Sequence, residues 1–424
     1  MASQVIPATG SEAAAETETT EAGALRYVAR QPILDRRGRV HGYELLFRAG
    51  PELAFCGDGD LATRTMLDNT VIFGLEKLTA GLPAFVNCTR EALTGELVKV
   101  LPPSMTVLEI LETLEPTPDL IAACRKLKSE GFRVALDDFV WKPAMESLIE
   151  LADYIKVDFV LSDQRVRAEL RERLRGVSVA MLAEKVETQE DYKQACAEGY
   201  TLFQGYYFCR PILIKNRKIP ANQLSYIELL QLLQSETIDV HKLADLLKRY
   251  ASLTYRLLRL VNSPVAAIRQ EVRSIESALV IVGEETFRRI AMLAITSELN
   301  ANQPQEILRM AFVRACFCEA AAGLCALERN EQYLLGMFSM LPAMLRIPMA
   351  DLVPALALRA KIREAMLGAI SRESSLLRWA ECHERGDWER CDAIVQSYGL
   401  NRKELMRCHA DAVVWSETAV HFAG

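Results

Sequence analysis

"RVALDDF" (residues 133–139) is the stretch on which the fold turns: a short β-type apolar run closes on two adjacent carboxylates, Asp137 and Asp138. A single acid at the end of a strand is most often a helix N-cap or a solvated loop residue. Here the runs on either side end in the same way. They are "YVARQPIL" (27–34), "HGYELLF" (41–47), "AFVNCT" (84–89), "TVLEIL" (106–111), "YIKVDF" (154–159), "VAMLAEKVE" (179–187) and "LFQGYYF" (202–208). Amphipathic segments such as "DLIAACRKLKSEG" (119–131) lie between them, with Gly131 placed to end a helix. Strands alternating with helices predict a mostly parallel sheet, and this number of strands predicts a (β/α) barrel over about residues 27–212.

Beyond residue 222 the rhythm becomes helical throughout. "VHKLADLLKRYASLTYRLLRLVN" (240–262), "ETFRRIAMLAITSEL" (285–299) and "EILRMAFVRACFCEAAAGLCALE" (306–328) space their apolar residues by three and four. Asn262-Ser263-Pro264, Gly283, Pro342, Pro348 and Pro354 punctuate them. Leu253, Leu257, Leu258 and Val261 are expected on one helical face. The predicted fold class is therefore α/β plus all-α, a (β/α)8 barrel followed by a helical domain. The expected division is an acidic disordered tail at 1–25, a barrel at 26–213, a basic linker at 214–221, a helical domain at 222–410 and a C-terminal tail at 411–424.

The chain has 424 residues and a formal net charge of −6, which gives no global pull towards nucleic acid or an anionic membrane. No apolar run reaches membrane-spanning length; "YLLGMFSMLPAML" (333–345) is too short and carries Pro342. The N-terminal residues lack the charged and apolar regions of a signal peptide. Eleven cysteines, an odd number without CxxC pairs, read as buried free thiols, which points to a reducing cytoplasm.

In a (β/α) barrel the C-terminal strand ends meet at one mouth, where catalytic residues sit. Asn87, Glu109, Asp137, Asp138, Lys156, Asp158, Glu184, Glu187 and Gln204 all fall near such ends. Carboxylates and amides without histidine or cysteine form a hard oxygen site suited to Mg²⁺ or Mn²⁺. So many acids could not ionise together without cations. Two such ions can align and split a phosphodiester, so the pattern suggests metal-assisted phosphodiester hydrolysis.

The order of motifs resembles the EAL domain family, bacterial phosphodiesterases that linearise cyclic di-GMP on a modified (β/α)8 barrel. "YELLFR" (43–48) matches its ExLxR, which implies Glu44 as a metal ligand and Arg48 as a phosphate contact. The resemblance further implies Asn87 of "FVNCT", Glu109 of "LEILE", the pair in "LDDF" and Glu184 of "AEKVET" as metal ligands. Lys156 of "YIKVD" would help hold the attacking water, Glu187 would be the second acid, and Gln204 would contact substrate. Glu112 takes the place of the glutamate that steadies the neighbouring loop. Three departures stand out. Val140-Trp141-Lys142-Pro143 replaces the family's G-T-G-x-S-S-L loop, Leu111 replaces a threonine, and Lys185 replaces a glycine. Glycine permits backbone conformations that Val, Trp and Lys resist, and proline fixes its own φ.

The second half resembles the HDOD domain, an all-α regulatory module related to HD phosphohydrolases, through "SLTYRLLRLVNSP", "SIESALVIVGEETFRRI" and "LLGMFSMLPAML". Where an active HD enzyme carries His-Asp, this chain has Ser339 and Met340. Of His241, His383, His409 and His421, none precedes an aspartate, and His409 with Asp411 reads as surface or packing. Together the halves resemble two-domain EAL–HDOD signalling proteins, and three functions stay open. One is a cyclic di-GMP or metal sensor with weak or no turnover, whose HDOD domain binds other signalling proteins. Another is an active Mg²⁺- or Mn²⁺-dependent phosphodiesterase yielding linear pGpG. The third is a scaffold with no metal. Homodimerisation through the barrel is common in the EAL family, and the replaced loop is part of that interface.

Overall fold

The computed structural model describes residues 26–49, 75–205 and 221–423, apart from 234–242, 244–245, 248–249, 267, 269 and 357. The tail at 1–25, most of the 214–221 linker and His241 lie outside the described residues. Eight strands close into a barrel in sequence order: β1 Arg26–Asp35, β2 Val40–Ala49, β3 Ala84–Cys88, β4 Thr106–Ile110, β5 Arg133–Leu136, β6 Tyr154–Asp158, β7 Ala180–Glu184 and β8 Leu202–Gln204. All eight expected runs are strands. The barrel is a modified one, because β1 runs antiparallel to both β2 and β8 while the other neighbours are parallel.

Side chains of a strand alternate faces, so residues two apart share one face. Ile33, Phe85, Val107, Ala135, Tyr154, Leu182 and Leu202 pack into one apolar plug inside the barrel. Gly42 belongs to this level: a Cβ there would lie 2.6 Å from the Pro83 carbonyl oxygen and 3.1 Å from the Phe85 ring. Two residues onward from the plug come Glu44, Asn87, Glu109, Asp137, Lys156, Glu184 and Gln204. The same alternation that fills the barrel with hydrocarbon therefore raises a polar layer above it. The outward residues of these strands pack against helices such as Pro118–Ser129, which buries Leu120, Cys124 and Leu127.

The chain from Ala221 to Ala423 is helical with one continuous apolar core. At its centre the helix Gln305–Ala321 is buried on nearly every side, its charged residues Glu306, Arg309 and Arg314 held in ion pairs. In the helix Ala251–Val261 the buried stripe is Leu253, Leu257, Leu260 and Val261, with Leu258 only partly covered. Asn262 caps that helix: its side chain donates to the Val272 carbonyl at 2.8 Å and accepts from the Val272 N–H at 2.7 Å.

The C-terminal tail expected at 411–424 is instead the second half of a helix, Arg402–Ala423. Its apolar side, including Ala412, Ala419, Val420 and Ala423, closes the core, and Ser297 donates to the Ala423 carbonyl at 2.7 Å. All nine described cysteines are free thiols, seven of them buried. Among the described residues no single helix is long and apolar enough to cross a membrane. One bent pair, Arg329–Leu345 with Met349–Ala355, passes on length and composition, but Tyr333, Leu335 and Leu345 are buried in the helical core.

The helical domain packs on the β1–β2 side of the barrel. Tyr43 donates a hydrogen bond to Glu306 at 2.9 Å, Arg309 pairs with Glu306 at 2.5 Å and with Glu417 at 3.0 Å, and Arg30 pairs with Glu417 at 3.0 Å. The Arg30 guanidinium also lies 4.7 Å from the Tyr43 ring centre. At Gly386 an added Cβ would stand 2.8 Å from Leu46, so the two domains meet almost backbone to side chain there.

Candidate functional site

The polar layer is organised around one ammonium. Lys156 is fully buried, and its Nζ lies 2.6 Å from Glu109, 2.7 Å from Asp137, 3.0 Å from Glu184 and 3.3 Å from Glu44. Gln204 donates to Glu44 at 2.6 Å and to Gln31 at 2.9 Å, and Asn87 donates to Glu44 at 3.3 Å. Register explains this, since Gln31 pairs with Glu44 across β1 and β2 and Asn87 pairs with Glu109 across β3 and β4. Gln31 is a site residue that the strand-end pattern overlooks, because on antiparallel β1 the mouth lies towards the other end of the strand.

Four carboxylates around one lysine leave an excess of negative charge. Burial disfavours the Lys156 ammonium, but Glu109, Glu44, Glu184 and Asp137 outweigh it and hold the proton well above the usual lysine range. Glu44 is held low, because Lys156 and the amide donors overcome its burial. Burial pushes Glu109, Asp137 and Glu184 up, against Lys156 and with help from neighbouring acids; Glu184 reaches about 8. The cluster thus holds protons that a dication would displace.

The donor chemistry fits such an ion. Asn87 Oδ1, Glu109 Oε2, Asp138 Oδ1 and Gln204 Oε1 are buried and accept no hydrogen bond, while Glu109 Oε1 meets Lys156 at 2.6 Å. Every orphan at the site is an oxygen, the ligand type that Mg²⁺ and Mn²⁺ prefer. Among the described residues no three carboxylate or imidazole groups yet converge on an open centre, because the acids close on Nζ.

The other expected residues divide. Asp138 stands beside the cluster in the left-handed region (φ +38°) and faces the cavity. Glu187 is exposed at the cavity rim, apart from the buried acids. Asp158 turns away: it accepts the Val160 N–H at 2.7 Å and the Leu161 N–H at 3.0 Å, and it pairs with Lys185. Lys185 therefore does not enter the acid cluster, although its φ of +53° marks a backbone position suited to glycine. Glu112 is exposed on the turn after β4 and, among the described residues, makes no hydrogen bond or ion pair, so it does not steady the 139–143 loop. The side chain of Arg48 lies outside the described residues.

The replacement loop is fastened to the barrel's flank. Phe139 is buried, and its N–H donates to the Lys156 carbonyl at 2.9 Å. Trp141 lies against the helix Gln164–Arg173, with the Arg173 guanidinium 3.7 Å from its ring centre.

A cavity of about 440 Å³ spans the acid layer and the helical domain. Glu44, Asp137, Asp138, Glu184, Glu187 and Gln204 line one wall. Arg309, Met310, Val313, His383, His409 and Val413 line the other. Of the two readings of His409, packing holds: it is buried against Phe317 and Trp379 and borders the cavity. Where the HD doublet would stand, Met340 is buried and Ser339 accepts from Arg314 at 3.1 Å; Arg314 also pairs with Glu384 at 2.6 Å.

The chain is similar to known proteins over both of its halves. The EAL domain model matches residues 89–211 and the HDOD domain model matches 219–377. An uncharacterized Bacillus subtilis protein, YuxH, is 32% identical over 400 residues, 92% of this chain and 97% of its own length. A Vibrio cholerae protein named cyclic di-GMP phosphodiesterase CdgJ is 33% identical over 398 residues, 92% of each chain. Among solved structures, the cyclic di-GMP complex of the PaMucR phosphodiesterase covers 47% of this chain and 99% of its own, with a TM-score of 0.38 and 20% identity.

Proposed function

Because this chain belongs to the two-domain EAL–HDOD proteins of cyclic di-GMP signalling, we propose that its barrel binds Mg²⁺ or Mn²⁺ together with cyclic di-GMP and cleaves the nucleotide slowly to linear pGpG. The observation that carries this reading is the set of buried oxygens on Asn87, Glu109, Asp138 and Gln204 that have no donor. Leaving one such group unsatisfied costs about 1–3 kcal/mol, and a hard cation is a partner that suits a set of oxygens.

Glu44, Asn87, Glu109, Asp137, Asp138 and Glu184 would hold the metal. When bound, it supplies a hydroxide-forming and charge-neutralising centre at the phosphodiester. Lys156, which lies among these acids, would help hold the attacking water. Glu187 at the rim would serve as the second acid and Gln204 would contact the nucleotide; the phosphate role of Arg48 rests on the family motif alone. Slow turnover follows from the loop after Asp138: Phe139 is buried, Trp141 is held by Arg173, and Pro143 restricts the chain.

The HDOD domain acts as a regulatory and protein-docking module, since Ser339 and Met340 stand where an active HD enzyme carries its His-Asp doublet. The free thiols support a cytoplasmic location. A barrel-mediated homodimer would have to use the replaced loop in a new way.

The test is chromatographic assay of cyclic di-GMP with the full chain in Mn²⁺ and in Mg²⁺, beside Asp137→Asn. Slow formation of pGpG that disappears in the variant supports the reading. Absence of both hydrolysis and calorimetric binding in the wild type overturns it.

A further inference from the structure

A second cavity, of about 630 Å³, lies where the helical domain meets the β1–β2 turn, and its charge is the reverse of the first. The turn stands at the N-terminal end of the parallel strands, on the far side of the apolar plug from the acid layer. It contributes Arg36, Arg37 and Arg39, and the helical domain contributes Arg309, Arg346 and, among the described residues, a single acid, Glu306. Five guanidiniums on one cavity run against the composition of a chain whose formal net charge is −6.

Ion pairs account for two of the five. Arg39 pairs with Asp35 at 2.7 Å, and Arg309 with Glu306 and Glu417. Among the described residues the other three meet no carboxylate. Arg36 Nε donates to the Tyr200 carbonyl at 2.8 Å and its Nη2 to the Cys196 carbonyl at 3.3 Å, which fixes the guanidinium without neutralising it. Arg346 Nη2 donates to the Gln303 amide oxygen at 3.4 Å, and the Arg37 side chain makes no hydrogen bond or ion pair among the described residues. All three side chains belong to exposed residues that line the cavity.

The frame that carries them is fixed. Asp35 accepts the N–H groups of Arg37 at 2.8 Å and Arg39 at 2.9 Å, with Gly38 between them at φ +72°. A Cβ on Gly38 would lie 2.9 Å from Pro304 Cγ, so the turn rests directly on the helical domain. Arg346 ends its short helix in the left-handed region, φ +57°, where glycine is the usual residue. Holding an arginine there costs about 1–2 kcal/mol and adds a charge to the groove.

We propose that this groove binds a polyphosphate anion of nucleotide size, clamped between the two domains and apart from the acid layer. A guanidinium presents a planar fork that matches phosphate oxygens in pairs. Three unmatched cations suit a polyanion better than a single carboxylate, and the volume is that of an ordinary small-molecule site. Glu306 and Arg309 line both cavities, so the anion would sit against the ion pairs that join the domains. This inference is independent of the cyclic di-GMP reading of the barrel.

The test is calorimetric titration of the full chain with ATP, GTP and inorganic tripolyphosphate. Salt at about 0.15 M screens loose surface pairing, and EDTA keeps dications off the acid layer, which then repels polyanions. Arg37→Ala and Arg346→Ala each remove one unmatched cation, and Arg346→Gly covers the case in which alanine disturbs the helix end. Arg165→Ala, on a side chain that is 88% exposed and paired with Glu169, is the control. Wild type and the control should bind one anion per chain. The Arg37 and Arg346 variants should keep their ligand-free thermal midpoint and lose about tenfold in affinity. Tighter binding of either nucleotide than of tripolyphosphate identifies a nucleotide as the ligand, and equal binding identifies the phosphate chain; both uphold the site. Absence of binding in the wild type overturns the proposal, as does unchanged affinity in the folded variants or an equal loss in Arg165→Ala.

Discussion

The barrel mouth and the core of the helical domain both bury charge, and they do so on opposite terms. Among the described residues of the helical domain the buried arginines Arg309 and Arg314 are matched. Arg314 meets Glu384, Glu381 and Ser339, and Arg309 meets Glu306 and Glu417. At the barrel mouth one lysine faces four carboxylates, and amide and carboxylate oxygens are left without donors. Balanced burial stabilises a fold at best modestly. Unbalanced burial stores an affinity for whatever restores the balance. The arginine networks are thus fastenings, and the acid layer is a site.

The largest effect expected from this contrast is at Lys156. Lys156→Met removes the hub and leaves its acids uncompensated, so the metal-free protein should lose about 3–5 kcal/mol in denaturant unfolding. Added Mn²⁺ should recover part of that loss. A variant as stable as wild type without metal would show that the acids are neutral and that the cluster carries no stored charge.

Asp137→Asn tests the affinity itself. At metal concentrations about a hundredfold above Kd, a ligand that binds only the folded state stabilises it by about 2.7 kcal/mol. Mn²⁺ should raise the wild-type melting midpoint accordingly and leave Asp137→Asn nearly unmoved. Equal shifts in both proteins would place the metal elsewhere.

The histidine pair adds a pH dependence to the helical side. The folded-state pKa of His409 lies near 3, below the ordinary value of 6.5, so the unfolded chain takes up the proton first. Stability from this residue is complete above about pH 6.5 and is lost as pH falls towards 3, at about 1.4 kcal/mol per pH unit. Glu184 works in the other direction, its contribution fading as pH rises from 4.5 to about 8. His409→Phe should therefore flatten the acid side of the stability–pH curve and leave the alkaline side alone. An unaltered acid limb would mean that His409 is not buried in neutral form.

The smallest change in stability is expected in the loop. Trp141→Ala removes the Arg173 contact and should cost about 0.5–1 kcal/mol. Replacing Val140 and Pro143 by glycine and serine should cost little stability yet raise pGpG formation. No gain in rate would show that the loop does not limit turnover.

Much of the barrel site is legible in the chain. Phe85 and Asn87, Val107 and Glu109, Ala135 and Asp137, and Leu182 and Glu184 are each two positions apart, and strand geometry alone sends each pair to the barrel interior. The errors arise where a side chain leaves its strand. Asp158 continues the pattern of β6 but is captured by the loop N–H groups of Val160 and Leu161 and by Lys185. Glu112, one step into a turn, points to solvent. The final helix was hidden because residues 411–424 follow the end of the resemblance, although Ala412, Val413, Ser416, Ala419 and Val420 repeat at helical spacing.

The sequence by itself determined the strand order, the inward polar layer and its oxygen chemistry, because alternation along a strand is a local property of the backbone. Only the tertiary structure decided that Lys156 gathers four acids on one nitrogen, that Lys185 stays out of their cluster, and that His383 and His409 border the same cavity as those acids. Those relations join residues from different strands and helices, some more than a hundred positions apart, and no local spacing records how such surfaces meet.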